Sequence, residues 1–117
     1  MLWEIDIHPL PGLQDHEAQR VAGVAAELGI GHNLSIHSAR GFLLESDSLD
    51  AAQVSRLASE LFADGTVERP VVAKVGDITL LAPTQDNGAT LLQVLLKPGV
   101  MDPVAQSAES AVRDFGF

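Results

Sequence analysis

Leu2-Trp3-Glu4-Ile5-Asp6-Ile7-His8-Pro9 decides how this chain is read, because it returns as Leu91-Leu92-Gln93-Val94-Leu95-Leu96-Lys97-Pro98. The first copy alternates. Trp3, Ile5 and Ile7 fall on one face, Glu4 and Asp6 on the other, the pattern of a strand with one wet face. A loop follows each copy, two residues shorter the second time. Then Asp15-His16-Glu17-Ala18-Gln19 reappears as Asp102-Pro103-Val104-Ala105-Gln106. The apolar positions Ala18, Val21, Ala25 and Leu28 answer to Ala105, Ala108, Val112 and Phe115, and the copies end on Gly29-Ile30 and Gly116-Phe117. A copy that stops after its first helix predicts a longer parent polypeptide built from paired modules.

Between the copies the pattern predicts more elements. Residues 15–28 read as a helix with Asp15 as N-cap and Gly29 just past its end. Residues 34–46 are an extended run, with Gly41 marking a bend or bulge. Asp50 opens a second helix, Gln53 completes a capping box, and Val54, Leu57, Ala58 and Leu61 form its buried stripe. Residues 66–75 are a third strand, placed at an edge by Pro70. The expected fold is α+β: a β-α-β-α-β module over residues 1–75 with a mostly antiparallel sheet and helices on one face. A linker follows over 76–90, with Ile78 to Ala82 as a short extended piece. The first half of a second, truncated module (β-α) covers 91–117. Asp102 at N-cap and Pro103 at N1 mark its helix start.

Composition narrows the function. The chain has 117 residues, 46% of them apolar, enough for a packed core. Seven basic residues against sixteen acidic ones give a net charge of −9, which argues against binding nucleic acid or an anionic membrane. The absence of cysteine removes disulfides, thiolate metal sites and a Cys nucleophile. No apolar stretch approaches the ~20 residues of a membrane span, and no export signal is legible, so a cytoplasmic protein is expected.

The polar residues do not converge on chemistry. His8, His16, His32 and His37 lack the helical spacing that would place two on one face, so no metal site is assigned. Asp15-His16-Glu17 opens a helix, where acids satisfy free N–H groups. Gly29-Ile30-Gly31 is a helix end and not a phosphate loop, and Asn87-Gly88 is a turn. Ser35, His37 and Ser38 share one extended run, and Ser38 and His37 point to opposite faces, so no triad forms. No catalytic, cofactor or metal residue is assigned. An Arg on a strand is more often a solvated face than a contact, and that reading is favoured for Arg40 beside Gly41; the alternative has it meet a partner's carboxylate. The run Leu91, Leu92, Val94, Leu95, Leu96 is apolar on both faces and belongs inside an interface. The residues expected at a partner interface are Arg40, Phe42, Leu44 and Leu95.

An ordered set of these segments resembles a known family. Lys97-Pro98-Gly99-Val100-Met101-Asp102-Pro103 matches its strand-to-helix opening. Glu27-Leu28-Gly29-Ile30 and Asp114-Phe115-Gly116-Phe117 match its helix end. Arg40 stands at the second basic position of a basic–Gly–basic pattern, with His37 and Ala39 where a basic residue and a Gly are usual, and Asp64-Gly65-Thr66-Val67-Glu68 is similar to the turn after its second helix. The chain thus resembles the small bridging subunit of bacterial phosphoribosylformylglycinamidine synthase and the equivalent N-terminal domain of the fused synthetase chain. The resemblance implies a non-catalytic assembly domain in purine biosynthesis. It would join a synthetase and a glutaminase and self-associate through paired sheets, inside a parent that is an ATP-dependent amidating ligase. The alternatives are an α+β regulatory domain that senses a small effector and, more weakly, a small stand-alone enzyme.

Overall fold

A computed structural model describes residues 1–80, 90–97 and 99–117. The expected linker's residues 81–89 lie outside the described residues.

The alternating first segment is strand β1 (Leu2–Pro9). Two further strands, β2 (Arg40–Glu45) and β3 (Glu68–Lys74), flank it in an antiparallel sheet of order β2-β1-β3. Register pairs Ile5 with Phe42 on one side and with Val72 on the other. Trp3, Ile5 and Ile7 therefore share a face with Phe42, Leu44 and Val72. Glu4, Asp6 and His8 share the opposite face with Leu43, Val71 and Ala73. The sheet and helices make an α+β fold, as the periodicity requires.

The first face is the core. Helix α2 (Ala51–Leu57) continues into a π-helical turn (Ala58–Phe62), closed by Ala63 N–H donating to the Ala58 carbonyl at 2.9 Å. Val54, Leu57 and Ala58 are fully buried, and Val54 and Ala58 cluster with Trp3, Ile5 and Ile7. Each large apolar side chain buried this way contributes about 1.5–3 kcal/mol. Asp50 starts α2 with the full capping box: its carboxylate accepts from Gln53 N–H at 2.9 Å, and Asp50 N–H donates to Gln53 Oε1 at 3.0 Å. The π turn was not legible in the sequence. It rotates Phe62 onto Phe42, where the rings stack with centroids 4.7 Å apart.

Helix α1 (His16–Glu27) is capped by Asp15, which accepts from Ala18 N–H at 2.9 Å. It ends at Gly29, whose φ of 71° lets Ile30 N–H reach the Ala25 carbonyl at 2.9 Å. Its stripe is only partly covered: Ala18 and Ala25 are buried, but Val21 and Leu28 are 38% and 69% exposed.

Four expectations are corrected. Residues 34–39 are not part of a strand, because Asp15 takes Ser38 N–H for itself at 2.7 Å and β2 begins only at Arg40. Gly41 makes no bulge. It pairs regularly with Asp6, and a Cβ there would stand 3.3 Å from Asp6 Oδ1, so the missing side chain makes room for the carboxylate. Residues 78–80 form a short helical turn instead of an extended piece, since Asp77 Oδ1 accepts from Thr79 N–H and Oγ1 at 2.9 Å each. Residues 91–97 are not a strand. They find no ladder among the described residues and lie exposed.

The second-copy helix does form, as α3 (Pro103–Asp114). It repeats α1 in detail. Asp102 accepts from Ala105 N–H at 2.9 Å, and Gly116 takes a φ of 108°. The preceding turns match as well: Gly12 and Gly99 have φ of 83° and 82°. Leu13 N–H donates to Leu10 at 3.2 Å, Val100 N–H to Lys97 at 3.1 Å. Leu10 to Ile30 thus corresponds to Lys97 to Phe117 at one constant spacing. The loops are equal in length, and the apparent two-residue shortening came from aligning Pro9 with Pro98 in place of Pro11 with Pro98.

Candidate functional site

The C-terminal end of β1 gathers the most polar contacts. Asp15 bridges α1 to the segment before β2: Oδ1 accepts from Ala18 N–H and from Ser38 Oγ at 2.5 Å, while Oδ2 accepts from Ser38 N–H. Burial pushes its carboxyl up, but the Ser38 and Ala18 hydrogen bonds outweigh this and hold it below the usual aspartate value. Beside it, Arg40 donates to Glu68 Oε2 at 2.7 Å, and Glu68 Oε1 accepts from Asp64 N–H at 3.0 Å. These groups rim an open cleft of about 470 Å³ floored by Ile7, Pro9, Leu13 and Val67. Every polar group named here satisfies another. Ser38 donates to the Asp15 carboxylate, whose lowered pKa makes it a weak base.

A second groove, about 270 Å³, runs between Arg40, Phe42, Leu61 and Phe62 on one wall and Val104, Ala108 and Ala111 of α3 on the other. Arg56 sits over the Phe115 ring at 5.0 Å, a cation–π contact that ties α3 to α2.

The expected interface residues therefore separate. Arg40 stands between the two clefts and Phe42 lines the second. Leu44, like Phe42, packs partly buried against the core cluster and lines neither cleft. Leu95 is 75% exposed on the unpaired segment and joins neither cleft.

The opposite sheet face holds a feature that the alternation hid. Glu4 and Asp6 are half-buried neighbours on it. Burial, the hydrogen bond with Glu4 and its negative charge push the Asp6 carboxyl up to about 7. His8, on the same face, is 6% exposed, and its Nε2 finds no hydrogen-bond partner among the described residues. Burial, then Arg69, lower its pKa. The signal available in the sequence was the apolar run Val71-Val72-Ala73, which puts apolar neighbours on both faces of the sheet. Among the described residues no three His, Asp or Glu side chains cluster as a metal site, and no helix is long and apolar enough to cross a membrane.

No protein-family model matches the chain, and no curated protein is similar to it. Among solved structures, PurS from Methanocaldococcus jannaschii shares its fold. That protein is described as one of the subunits of formylglycinamide ribonucleotide amidotransferase in the purine biosynthetic pathway. The match has a TM-score of 0.55 at 11% identity and covers 62% of this chain and 92% of that one. A likeness at this identity is one of fold: this chain carries the PurS-like arrangement of sheet and helices, almost entire, and extends beyond it.

Proposed function

We propose that this chain is a non-catalytic assembly module of a phosphoribosylformylglycinamidine synthase, joining the ATP-using synthetase part to the glutaminase part. The observation that carries the reading is the PurS-like fold, found over nearly the whole length of a protein described as one subunit of such an amidotransferase. Two features support it. The polar cluster at Asp15, Ser38, Arg40 and Glu68 is internally satisfied and offers no activated nucleophile. The chain also displays apolar side chains that a solitary domain hides: Leu92, Val94 and Leu95 are 84%, 94% and 75% exposed. Arg40, Phe42, Leu44 and Leu95 are proposed as the partner interface, the first two from the clefts they line, Leu44 from its half-buried place on β2, and Leu95 through the exposed segment. The module self-associates through the same surplus of apolar surface.

The test is reconstitution. The chain is mixed with a synthetase and a glutaminase subunit of this amidotransferase class and followed by sizing chromatography and by glutamine-dependent amidation. A ternary complex with restored amidation is expected, and no glutamine or ATP turnover from this chain alone. Failure to bind either subunit, or turnover by the isolated chain abolished by one of its own point variants, overturns the reading. The cleft of about 470 Å³ favours the second reading, a regulatory domain for a small effector. A ligand-dependent rise in melting temperature in the absence of partner proteins would favour that reading over assembly.

A further inference from the structure

The segment 90–96 has an identity that its own exposed conformation conceals. The turn and helix after it superpose their hydrogen bonds, their positive-φ glycines and their caps on those after β1. Carried upstream without a gap, the same spacing sets Leu92 and Val94 on Ile5 and Ile7, and Leu91, Gln93 and Leu95 on Glu4, Asp6 and His8. The segment is a copy of β1, and β1 is the central strand, laddered on both edges. The copy has Leu91, Gln93 and Leu95 where the wet face has Glu4, Asp6 and His8, and it carries no charge from Thr90 to Leu96. A strand with no charge on either face and leucines on both is built to be enclosed.

Among the described residues the sheet has two free edges, and they are not equivalent. Ser46 N–H donates to Met1 and Val75 N–H to Leu2, at 3.0 and 3.2 Å. Because ladder bonds alternate along a strand, these contacts fix which residues point outward. On β3 they are Pro70, Val72 and Lys74; Pro70 has no N–H, and Lys74 blunts an edge. On β2 they are Gly41, Leu43 and Glu45, each with a donor and an acceptor and with little side-chain bulk at Gly41. Leu43 is 58% exposed. The β2 edge is the receptive one.

We infer that residues 90–96 add as a strand to the outer edge of β2 in a second copy of this chain. This rests on the assembly reading above and names the surface through which the module meets itself. Among the described residues the copy in the same chain does not fill that edge. Its α3 docks beside Arg40 and Phe42 while its Val94 stands 94% exposed. Each chain carries a charge of −9, so two copies approach through surfaces poor in charge, and the uncharged 90–96 segment is such a surface.

The chain has no cysteine, so engineered pairs report contacts cleanly. Isotope-labelled Leu43→Cys protein is mixed with unlabelled Leu91→Cys, Gln93→Cys or Leu95→Cys protein, oxidised, and analysed by intact mass beside light scattering of the unmodified chain. A labelled–unlabelled disulfide dimer with at least one of the three is expected. A dimer by light scattering with no mixed disulfide leaves self-association standing and overturns the edge. A monomer across the concentration range overturns both. A Leu43→Cys/Gln93→Cys double variant that closes its disulfide within a monomer overturns the second copy as occupant.

Discussion

Asp6 keeps a proton near neutrality because it lies half-buried beside Glu4 on an apolar sheet face. Its folded value of about 7 stands above the ordinary 3.8, so folding takes up a proton. The stability linked to that proton is complete below the unfolded value and is lost as pH rises through the folded one. Asp6→Asn, which cannot ionise, is expected to remove this loss. Melting temperatures of the two proteins from about pH 4 to about pH 8 should diverge, with the variant the more stable at the alkaline end; parallel curves would contradict the assignment. Asp15 has the opposite sign. Its folded value is lowered, so its contribution is present above 3.8 and is lost as pH falls through the folded value. Asp15→Ala removes the cap of α1 and the anchor of Ser38 together, and urea unfolding at neutral pH is expected to show a loss of about 1–2 kcal/mol. A loss no larger than a few tenths would mean that water replaces the carboxylate. The exposed Arg40–Glu68 pair is a lesser contributor: an ion pair of this kind is worth about 0–1 kcal/mol.

At the scale of elements, the protein leans on one helix. α2 and its π turn supply Val54, Leu57 and Ala58, all fully buried, whereas α1 buries only two alanines. Leu57→Ala is therefore expected to cost about 2–5 kcal/mol by urea unfolding. Val21→Ala on the half-covered α1 stripe should cost much less. Equal losses would show that α1 is as tightly packed as α2. Helices α1 and α3 are capped alike by Asp15 and Asp102, and among the described residues only Asp15 has a second partner, in Ser38. Asp102→Ala is expected to speed amide exchange in α3 alone, by about 1 kcal/mol of local opening. Uniform acceleration across the sheet would mean that α3 belongs to the main cooperative unit.

The whole molecule sets a three-stranded sheet and its helices beside an exposed apolar segment that has no ladder among the described residues. Leu92, Val94 and Leu95 are exposed more than any residue of the complete module's core. Such a surface drives association. Leu95→Asp is expected to shift the chain toward monomer in light scattering without lowering its melting temperature as a monomer, since Leu95 contributes nothing to the internal core. A variant that unfolds the chain would instead show that Leu95 is packed within it.

The elements with strong local chemistry were legible in the residues alone. Alternation defined β1, the capping pairs Asp50–Gln53 and Asp102–Pro103 placed two helix starts, Gly29 placed a helix end, and Pro70 placed an edge strand. Each is a short-range effect in which a side chain satisfies or denies a backbone group a few positions away. What the tertiary structure decided depended on residues distant in sequence. Ser38 left the expected strand because Asp15 competes for its N–H. Gly41 proved to be space for Asp6 across the ladder and not a bulge. Arg40 found Glu68 within its own chain, and Phe42 and Leu44 turned toward α2. Residues 91–97 have the composition of a strand, but a strand exists only through its neighbours, and none in the described chain provides a ladder for them. Propensity is a property of the residue, and pairing is a property of the sheet.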